Sequence, residues 1–321
     1  MRSAALLLPI ALSALLTTLA PPASANCNSP SSPCVDAEPL WLSPSAKRLL
    51  LVSDAAALTG GKFEVGLTAA FRYRPAVLTV PSPNESGRDI NLLRLSTDAS
   101  LAARLGLGNR LELTLLVPAG LDQQGAGIKG VTSQSAPDIP LTSLHDPRLG
   151  FGYSLPLHSA ALGAKLRFET KLPLGAAVAL AGERSFVASP SFALDSKLGG
   201  FFFGAELGAR LRRPTEFFGL RLGSQALLAV GAGYELERLG LSFAAEAYLL
   251  PSLIPSGKVS YLASEWLSSL RFAPHGIPAL SVGVGGGSGL PLSGNAAGSS
   301  FAFGVPSMRF VAFARLTPPT D

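Results

Sequence analysis

The stretch Leu162–Leu172, LGAKLRFETKL, decides the fold class of this sequence. Every second residue from Leu162 is apolar or small, with Thr170 as the exception. Most of the positions between them are charged: Lys165, Arg167, Glu169 and Lys171. Because successive side chains of a strand point to opposite sides, one face is apolar and the other carries four charges. The pattern predicts a β-strand between an apolar and a polar environment.

The same alternation recurs about a dozen times from residue 63 to residue 316, without amphipathic helices between the stretches. Beyond residue 25, no apolar run reaches the about 20 residues that a helical span needs. Yet the chain is 47% hydrophobic and only 15% charged, whereas soluble domains carry about 25% charged residues. The sequence therefore predicts an all-β fold, a transmembrane antiparallel up-and-down β-barrel of about 12 strands, with ten to fourteen left open.

The connections between the predicted strands alternate in length. Long connections at 75–91, 119–147 and 176–190 are each followed by a short one, at 106–109, 156–161 and 199–200. Bacterial barrels have short periplasmic turns and longer extracellular loops. We therefore place the barrel at residues 62–321, with its first strand starting on the periplasmic side and the loop 119–147 outside.

The charged faces are expected to point into the barrel. An Arg or Lys that faces lipid at mid-depth costs about 2–4 kcal/mol, and buried charges persist when they are paired. Basic residues outnumber acidic ones on these faces, which predicts a modest anion preference. The residues expected to line the lumen are Arg72, Arg74, Arg94, Asp98, Arg104, Glu112, Arg148, Lys165, Arg167, Glu169, Lys171, Asp195, Lys197, Glu206, Arg210, Arg212, Glu246 and Glu265.

The N-terminus carries an export signal. Arg2 precedes an apolar run at 4–20, and Ala23-Ser24-Ala25 is a cleavage site, so residues 1–25 are predicted to be a signal peptide cut after Ala25. Residues 26–61 show no sustained alternation. We favour a periplasmic extension for them over a plug inside the barrel, because plugged barrels are a minority. Cys27 and Cys34 are predicted to form a local disulfide, since disulfides persist in exported proteins.

Several segments carry a family resemblance: AEPLW at 37–41, LGNRLELTLLVP at 107–118 and the loop GAGIKGVTSQSAPDIPLTSLHDPRLGFGY at 125–153. On these segments, residues 35–153 resemble the barrel region of uncharacterised outer-membrane proteins of Gram-negative bacteria. Some of those proteins continue into a peptidoglycan-binding domain of the outer membrane protein A type. The resemblance implies an outer-membrane barrel without an established activity.

The sequence favours no catalytic, cofactor or metal site. His145 and Asp146 allow only a remote rim-sited hydrolase, because adjacent residues do not form a dyad and no G-x-S-x-G accompanies them. No Cys/His cluster indicates a metal, and the net charge of +5 is not clustered as in nucleic-acid-binding proteins. The chain is therefore not predicted to be an enzyme.

We predict a passive outer-membrane pore or transporter for small polar solutes. Its expected partners are outer-membrane lipid and the barrel assembly machinery, with no nucleic acid. The alternative is a structural or surface-interaction barrel with an occluded lumen, which presents the loop 119–147 outside. The number of strands and the filling of the lumen separate these two functions, because eight strands enclose only side chains whereas sixteen enclose water.

Overall fold

The computed structural model describes residues 34–44, 47–80, 88–130, 138–157, 161–217, 220–253, 261–277, 279–291, 294–295 and 301–317. Within these residues, twelve long strands form one antiparallel sheet. We number them in chain order: β1 (Phe63–Val80), β2 (Arg88–Gly106), β3 (Leu111–Gln124), β4 (Arg148–Ser154), β5 (Leu162–Lys171), β6 (Val187–Leu198), β7 (Phe201–Arg210), β8 (Gln225–Leu236), β9 (Leu241–Pro251), β10 (Tyr261–Phe272), β11 (Leu280–Gly289) and β12 (Met308–Leu316).

The sheet closes on itself. Each strand pairs with its neighbour in sequence, and β12 pairs with both β11 and β1. The closing pair runs from Val65 opposite Leu316 to Tyr73 opposite Met308. Closure leaves no free strand edge, as a barrel in lipid requires. The predicted all-β transmembrane barrel of twelve strands is confirmed.

Before β8, Thr215–Phe217 and Leu220–Leu222 pair as a separate hairpin, on which Arg221 is exposed. One predicted boundary is wrong. The loop expected at 119–147 begins at 125, since β3 continues to Gln124.

The two faces of the wall follow the sequence alternation. In β5, Leu166 is 50% exposed whereas Arg167 is buried. The same contrast holds between Leu113 and Glu112 in β3. The apolar side chains thus form the outer surface, and the charged side chains point into the lumen.

The two ends of the barrel differ. At the short-turn end, strands are joined by residues 107–110, 155–161, 199–200, 237–240 and 273–279. Gly199 and Gly240 in these turns have φ values of 61° and 62°, which glycine adopts without steric cost. The other end, the long-loop end, carries connections such as 125–147, 172–186 and 211–224. By the usual asymmetry of bacterial barrels, the long-loop end is extracellular.

The remaining elements are short. They are the strands Ser143–Leu144, Gly294–Asn295 and Phe301–Phe303 and the 3₁₀ turns Ile128–Gly130, Ala177–Ala179 and Glu237–Leu239. In the described part of the chain, no helix is long and apolar enough to cross a membrane.

An apolar cluster covers the lumen at the long-loop end. Its buried members include Leu92, Leu180, Leu250, Phe217 and Phe303. The rings of Phe217 and Phe303 lie 5.3 Å apart between centroids. The cluster joins side chains from several connections, and it extends into the lumen, since Leu40, Leu49 and Val52 also belong to it.

Candidate functional site

Residues 34–44 and 47–58 occupy the barrel lumen, and we call them the lumen segment. Leu40, the run Leu49–Val52 and Leu58 are buried. The segment contacts inward side chains all round the wall: Arg72 of β1, Glu112 of β3, Arg148 of β4, Lys165 of β5, Glu206 of β7, Glu246 of β9 and Arg315 of β12. The favoured interpretation of these residues as a periplasmic extension is therefore wrong.

The lumen segment runs from one end of the barrel to the other. Next to Leu58, the backbone N–H of Gly61 donates to the carbonyl of Gly106 at the short-turn end. At the opposite end, the N–H of Ala37 donates to the carbonyl of Leu180 at 2.8 Å, in the connection between β5 and β6. Residue 34 therefore lies at the long-loop end.

In the half of the lumen nearer the short turns, wall carboxylates hold the segment's backbone. Glu246 accepts hydrogen bonds from the N–H groups of Leu50 at 2.6 Å, Leu51 at 2.7 Å and Val52 at 3.4 Å. Glu206 and Asp195 accept from Ser53 and Ala55, both at 3.1 Å. These bonds give the non-strand backbone the partners that burial requires.

In the half nearer the long loops, the donors and acceptors are exchanged: arginines of the wall donate hydrogen bonds to backbone carbonyls of the segment. Arg72 donates to Ala37 at 3.0 Å, Arg210 to Pro39 at 2.6 Å and Arg148 to Leu42 at 2.7 Å. The ring of Trp41 lies 4.2 Å from the guanidinium of Arg210 and 4.8 Å from that of Arg148. Such cation–π contacts add to the hold on this half of the segment.

Two segment carboxylates also meet wall cations. Both oxygens of Glu38 bind Arg309, and one of them also lies 2.9 Å from Nη1 of Arg72. Asp36 pairs with Lys171 at the long-loop end of β5. Burial acts to raise the pKa of Asp36, but Lys171 and His145 together hold it below its ordinary value of 3.8.

The wall charges pair with one another as well. Arg104 lies 2.7 Å from Glu112, and Lys165 lies 2.8 Å from the other oxygen of the same carboxylate. Arg167 bridges Glu169 at 2.5 Å and Glu206 at 2.6 Å. Removing one partner of such a buried pair leaves an uncompensated charge, which costs about 3–5 kcal/mol.

Most of the predicted lumen residues point into the barrel. The buried ones are Arg72, Arg104, Glu112, Arg148, Lys165, Arg167, Glu169, Lys171, Glu206, Arg210, Glu246 and Glu265. Asp98 and Asp195 are partly buried in the lumen, where they bind Arg72 and the backbone of Ala55.

Four predicted lumen residues lie at the barrel ends instead. Arg74, with a φ of 52°, and the exposed Arg94 bind polar groups near the long β1–β2 connection. Arg212 lies two residues past the end of β7 and pairs with Glu183. Lys197 pairs with Glu235 and Glu237 beside a short turn. The alternation continues past the enclosed part of these strands, so it does not mark where the lumen ends.

Inward glycines make room for the lumen segment. A Cβ on Gly204 would lie 2.6 Å from Cδ1 of Leu49 and 2.9 Å from Cγ1 of Val52. A Cβ on Gly231 would lie 2.9 Å from Cδ2 of Leu49. Sequence reasoning missed these positions and the roles of Asp36, Glu38 and Trp41, because the segment has no periodic pattern that signals burial.

Two smaller predictions concern residues near the long-loop end. Cys34 is disulfide-bonded and buried, but Cys27 lies outside the described residues, so their pairing stays a prediction. Asp146 does not form a dyad with His145, since its two oxygens accept the N–H groups of Gly175 at 2.6 Å and Glu183 at 2.7 Å.

The space left around the segment is small. Cavities of about 70, 30 and 20 Å³ adjoin Trp41, each lined by both segment and wall residues. A cavity needs about 10–15 Å³ for each water molecule, so these spaces hold a few waters. These three cavities next to Trp41 are narrower than a path for a hydrated solute.

Comparison with known proteins supports the fold. The COG4313 outer membrane channel from Pseudomonas putida F1 aligns with a TM-score of 0.59 and 14% identity, over 83% of this chain and 98% of that chain. The NanC porin aligns with a TM-score of 0.50 and 9% identity, over 79% and 100% of the two chains. No protein-family model and no curated protein matches the sequence. The chain thus has the fold of an outer-membrane β-barrel.

Proposed function

We propose that this protein is an outer-membrane channel for small polar solutes, closed in the observed state by its own lumen segment. The observation that carries the proposal is the nature of the contact between segment and wall. Hydrogen bonds between its backbone and the side chains of Glu246, Glu206, Arg148 and Arg210 hold the segment. Water replaces such bonds when the segment moves, and the charged wall it leaves is suited to a hydrated path.

The similarity to outer-membrane channels supports this function as an analogy of fold. A twelve-stranded wall also encloses more than side chains, since about eight strands suffice for a lumen filled by side chains alone. Displacement of the lumen segment is the step that opens this path.

A structural or surface-interaction barrel is the second candidate. The filled lumen favours it, as does the apolar cluster with Phe217 and Phe303 across the long-loop end. In this alternative the lumen segment is a permanent core that stabilises a narrow barrel.

We propose that the open path prefers anions modestly. Arg210 supports this, because its described partners are the carbonyl of Pro39 and the ring of Trp41. Its charge therefore remains when the segment leaves, whereas Arg167 stays paired with Glu169 and Glu206. Reversal potential under a salt gradient measures the preference. Arg210→Glu is expected to shift it toward cations, and cation preference in the unmodified protein would contradict the proposal.

Single-channel recording in planar bilayers tests the function itself. We expect the unmodified protein to be closed most of the time, with brief openings of uniform conductance. Variants that weaken the segment's hold, such as Arg148→Ala, are expected to open more often. Folded protein that never conducts, with or without such substitutions, supports the structural barrel instead.

A further inference from the structure

Two arginines stand directly opposite each other on the inner wall. Arg72 of β1 and Arg309 of β12 are register partners in the strand pair that closes the barrel. Their side chains are 1% and 2% exposed. Like charges directly opposite each other destabilise a strand pair, and burial strengthens the repulsion. Each guanidinium group therefore requires an anionic partner.

Two wall carboxylates hold the outer sides of these guanidinium groups. Asp98 accepts from Nε of Arg72 at 2.7 Å, and Glu265 accepts from Nε of Arg309 at 2.9 Å. These bonds fix the orientation of both groups. Nη1 of Arg72 and both terminal nitrogens of Arg309 then meet at one place in the lumen. Nη2 of Arg309 also donates to Glu265 at 3.2 Å, and Nη1 of Arg72 also donates to the carbonyl of Ala37 at 3.0 Å.

That place is filled by Glu38, which belongs to the lumen segment and not to the wall. Nη2 of Arg309 lies 3.0 Å from Oε1 of Glu38, and Nη1 lies 3.1 Å from Oε2. Nη1 of Arg72 lies 2.9 Å from Oε2. The geometry is a bidentate fork on a planar carboxylate, reinforced by a second guanidinium, which a spherical ion such as chloride does not match.

The site borders a cavity inside the lumen. The Glu38 side chain is 20% exposed, although both arginines that bind it are buried. It borders a cavity of about 70 Å³ that is also lined by Asp98, Trp41 and Arg309. A solute in the lumen therefore reaches the same nitrogens once Glu38 moves aside.

We propose that the Arg72–Arg309 pair is a binding site for the carboxylate group of an organic anion, which Glu38 occupies in the closed state. The proposal rests on the channel function, because it makes Glu38 the internal competitor of a carboxylate solute. A tethered group acts at an effective concentration in the millimolar range or above. Opening by this route therefore requires a solute that is abundant at the mouth or that carries additional contacts.

Replacing Glu38 by Ala, in the full chain folded in detergent, leaves the proposed site vacant. The midpoint of thermal unfolding, followed by the mobility difference between folded and heated protein on gels, is measured in sodium acetate and in sodium chloride at equal ionic strength. We expect acetate to raise the midpoint of Glu38→Ala above its value in chloride. The unmodified protein is expected to show no such difference, because its own carboxylate fills the site.

Glu235→Ala is the matched control, since Glu235 pairs with Lys197 at 2.9 Å beside a short turn, at the opposite end of the barrel from Glu38. It is expected to show no acetate-specific gain. Adding Arg309→Lys to Glu38→Ala keeps the positive charge but removes the planar guanidinium, and it should abolish the gain. Equal midpoints in acetate and chloride for Glu38→Ala, or an equal gain in the Glu235→Ala control, would overturn the proposal.

A second measurement uses Glu38→Gln, which keeps the size of the side chain but removes its charge, so it does not depend on the folding of Glu38→Ala. Trp41 and Trp266 are the two tryptophans of the chain, so Trp266→Phe leaves Trp41 as the only tryptophan reporter. Acetate is expected to shift the Trp41 emission at concentrations where chloride at equal ionic strength does not. Identical titrations with the two salts count against the site. An acetate-specific shift in a protein that never conducts would support the carboxylate-binding site and contradict the channel function.

Discussion

Replacing Glu246 by Ala tests the hold on the lumen segment most sharply. The carboxylate accepts two short bonds from Leu50 and Leu51 and a longer one from Val52. A hydrogen bond to a charged group contributes about 1.5–3 kcal/mol, so the two short bonds together contribute about 3–6 kcal/mol. Burying the carboxylate costs free energy, and the substitution removes this cost. The expected loss of hold on the segment is therefore at the lower end of this range, about 3 kcal/mol.

A loss of about 3 kcal/mol corresponds to about a 100-fold shift from closed to open, because each 1.4 kcal/mol is a factor of ten. We expect single-channel recordings of Glu246→Ala to show a large rise in the open fraction. Glu235→Ala is the control, since Glu235 lies on the neighbouring strand β8 and pairs with Lys197 at 2.9 Å. Gel mobility establishes that both variants are folded. An unchanged open fraction in folded Glu246→Ala, or an equal rise in Glu235→Ala, would refute this reasoning.

Three further predictions concern assembly, topology and pH. Leu166→Arg places a charge in lipid and should impair assembly by about 2–4 kcal/mol, whereas Leu166→Phe should fold normally; equal amounts of folded barrel on gels would contradict the assignment of faces. An epitope inserted after Ala25 should bind antibody on intact cells, because residue 34 lies at the long-loop end, whereas an epitope between Gly199 and Gly200 should not. If the epitope after Ala25 binds antibody only once the outer membrane is permeabilised, the orientation is the reverse. The pKa of Asp36 is lowered, so its pairing with Lys171 stabilises the fold fully above its ordinary pKa of 3.8, and this stabilisation is lost as pH falls through the lowered pKa. The thermal midpoint of Asp36→Asn should therefore fall less than that of the unmodified protein on acidification below about pH 4, and an equal fall in both proteins would contradict this.

The wall was predictable from the sequence because alternation in a strand has one dominant cause. At Leu166 and Arg167, the cost of a charge in lipid decides which side chain faces outward. The same reasoning applies to the other strands that carry inward charges, but not to β11, which has no charged residue. Strand ends were less predictable. Arg94 and Arg212 continue the alternation, yet they lie where the strand leaves the enclosed lumen.

The lumen segment was not predictable in the same way. Its partners are long-range, such as Leu50 with Glu246 and Glu38 with Arg309, which stand 196 and 271 residues apart in sequence. Its backbone bonds to side chains instead of to a partner strand, so neither helical nor strand periodicity marks it. In the strands, the segment is reflected by Gly204 and Gly231, two inward glycines at which a Cβ would collide with Leu49.

A disulfide between the lumen segment and the wall tests the central claim most directly. A Cβ on Gly204 would lie 3.5 Å from Cβ of Val52, a separation that a disulfide accommodates. The measurement is single-channel conductance of Val52→Cys/Gly204→Cys before and after reduction, with Cys27 and Cys34 replaced by Ser. Leu49→Ala is added because Cδ1 of Leu49 would lie 2.6 Å from the new Cβ at residue 204. We predict that the disulfide forms in the folded barrel, that the oxidised protein stays closed, and that reduction restores openings. Failure of the two cysteines to cross-link in folded protein, or equal conductance in both states, would contradict the account.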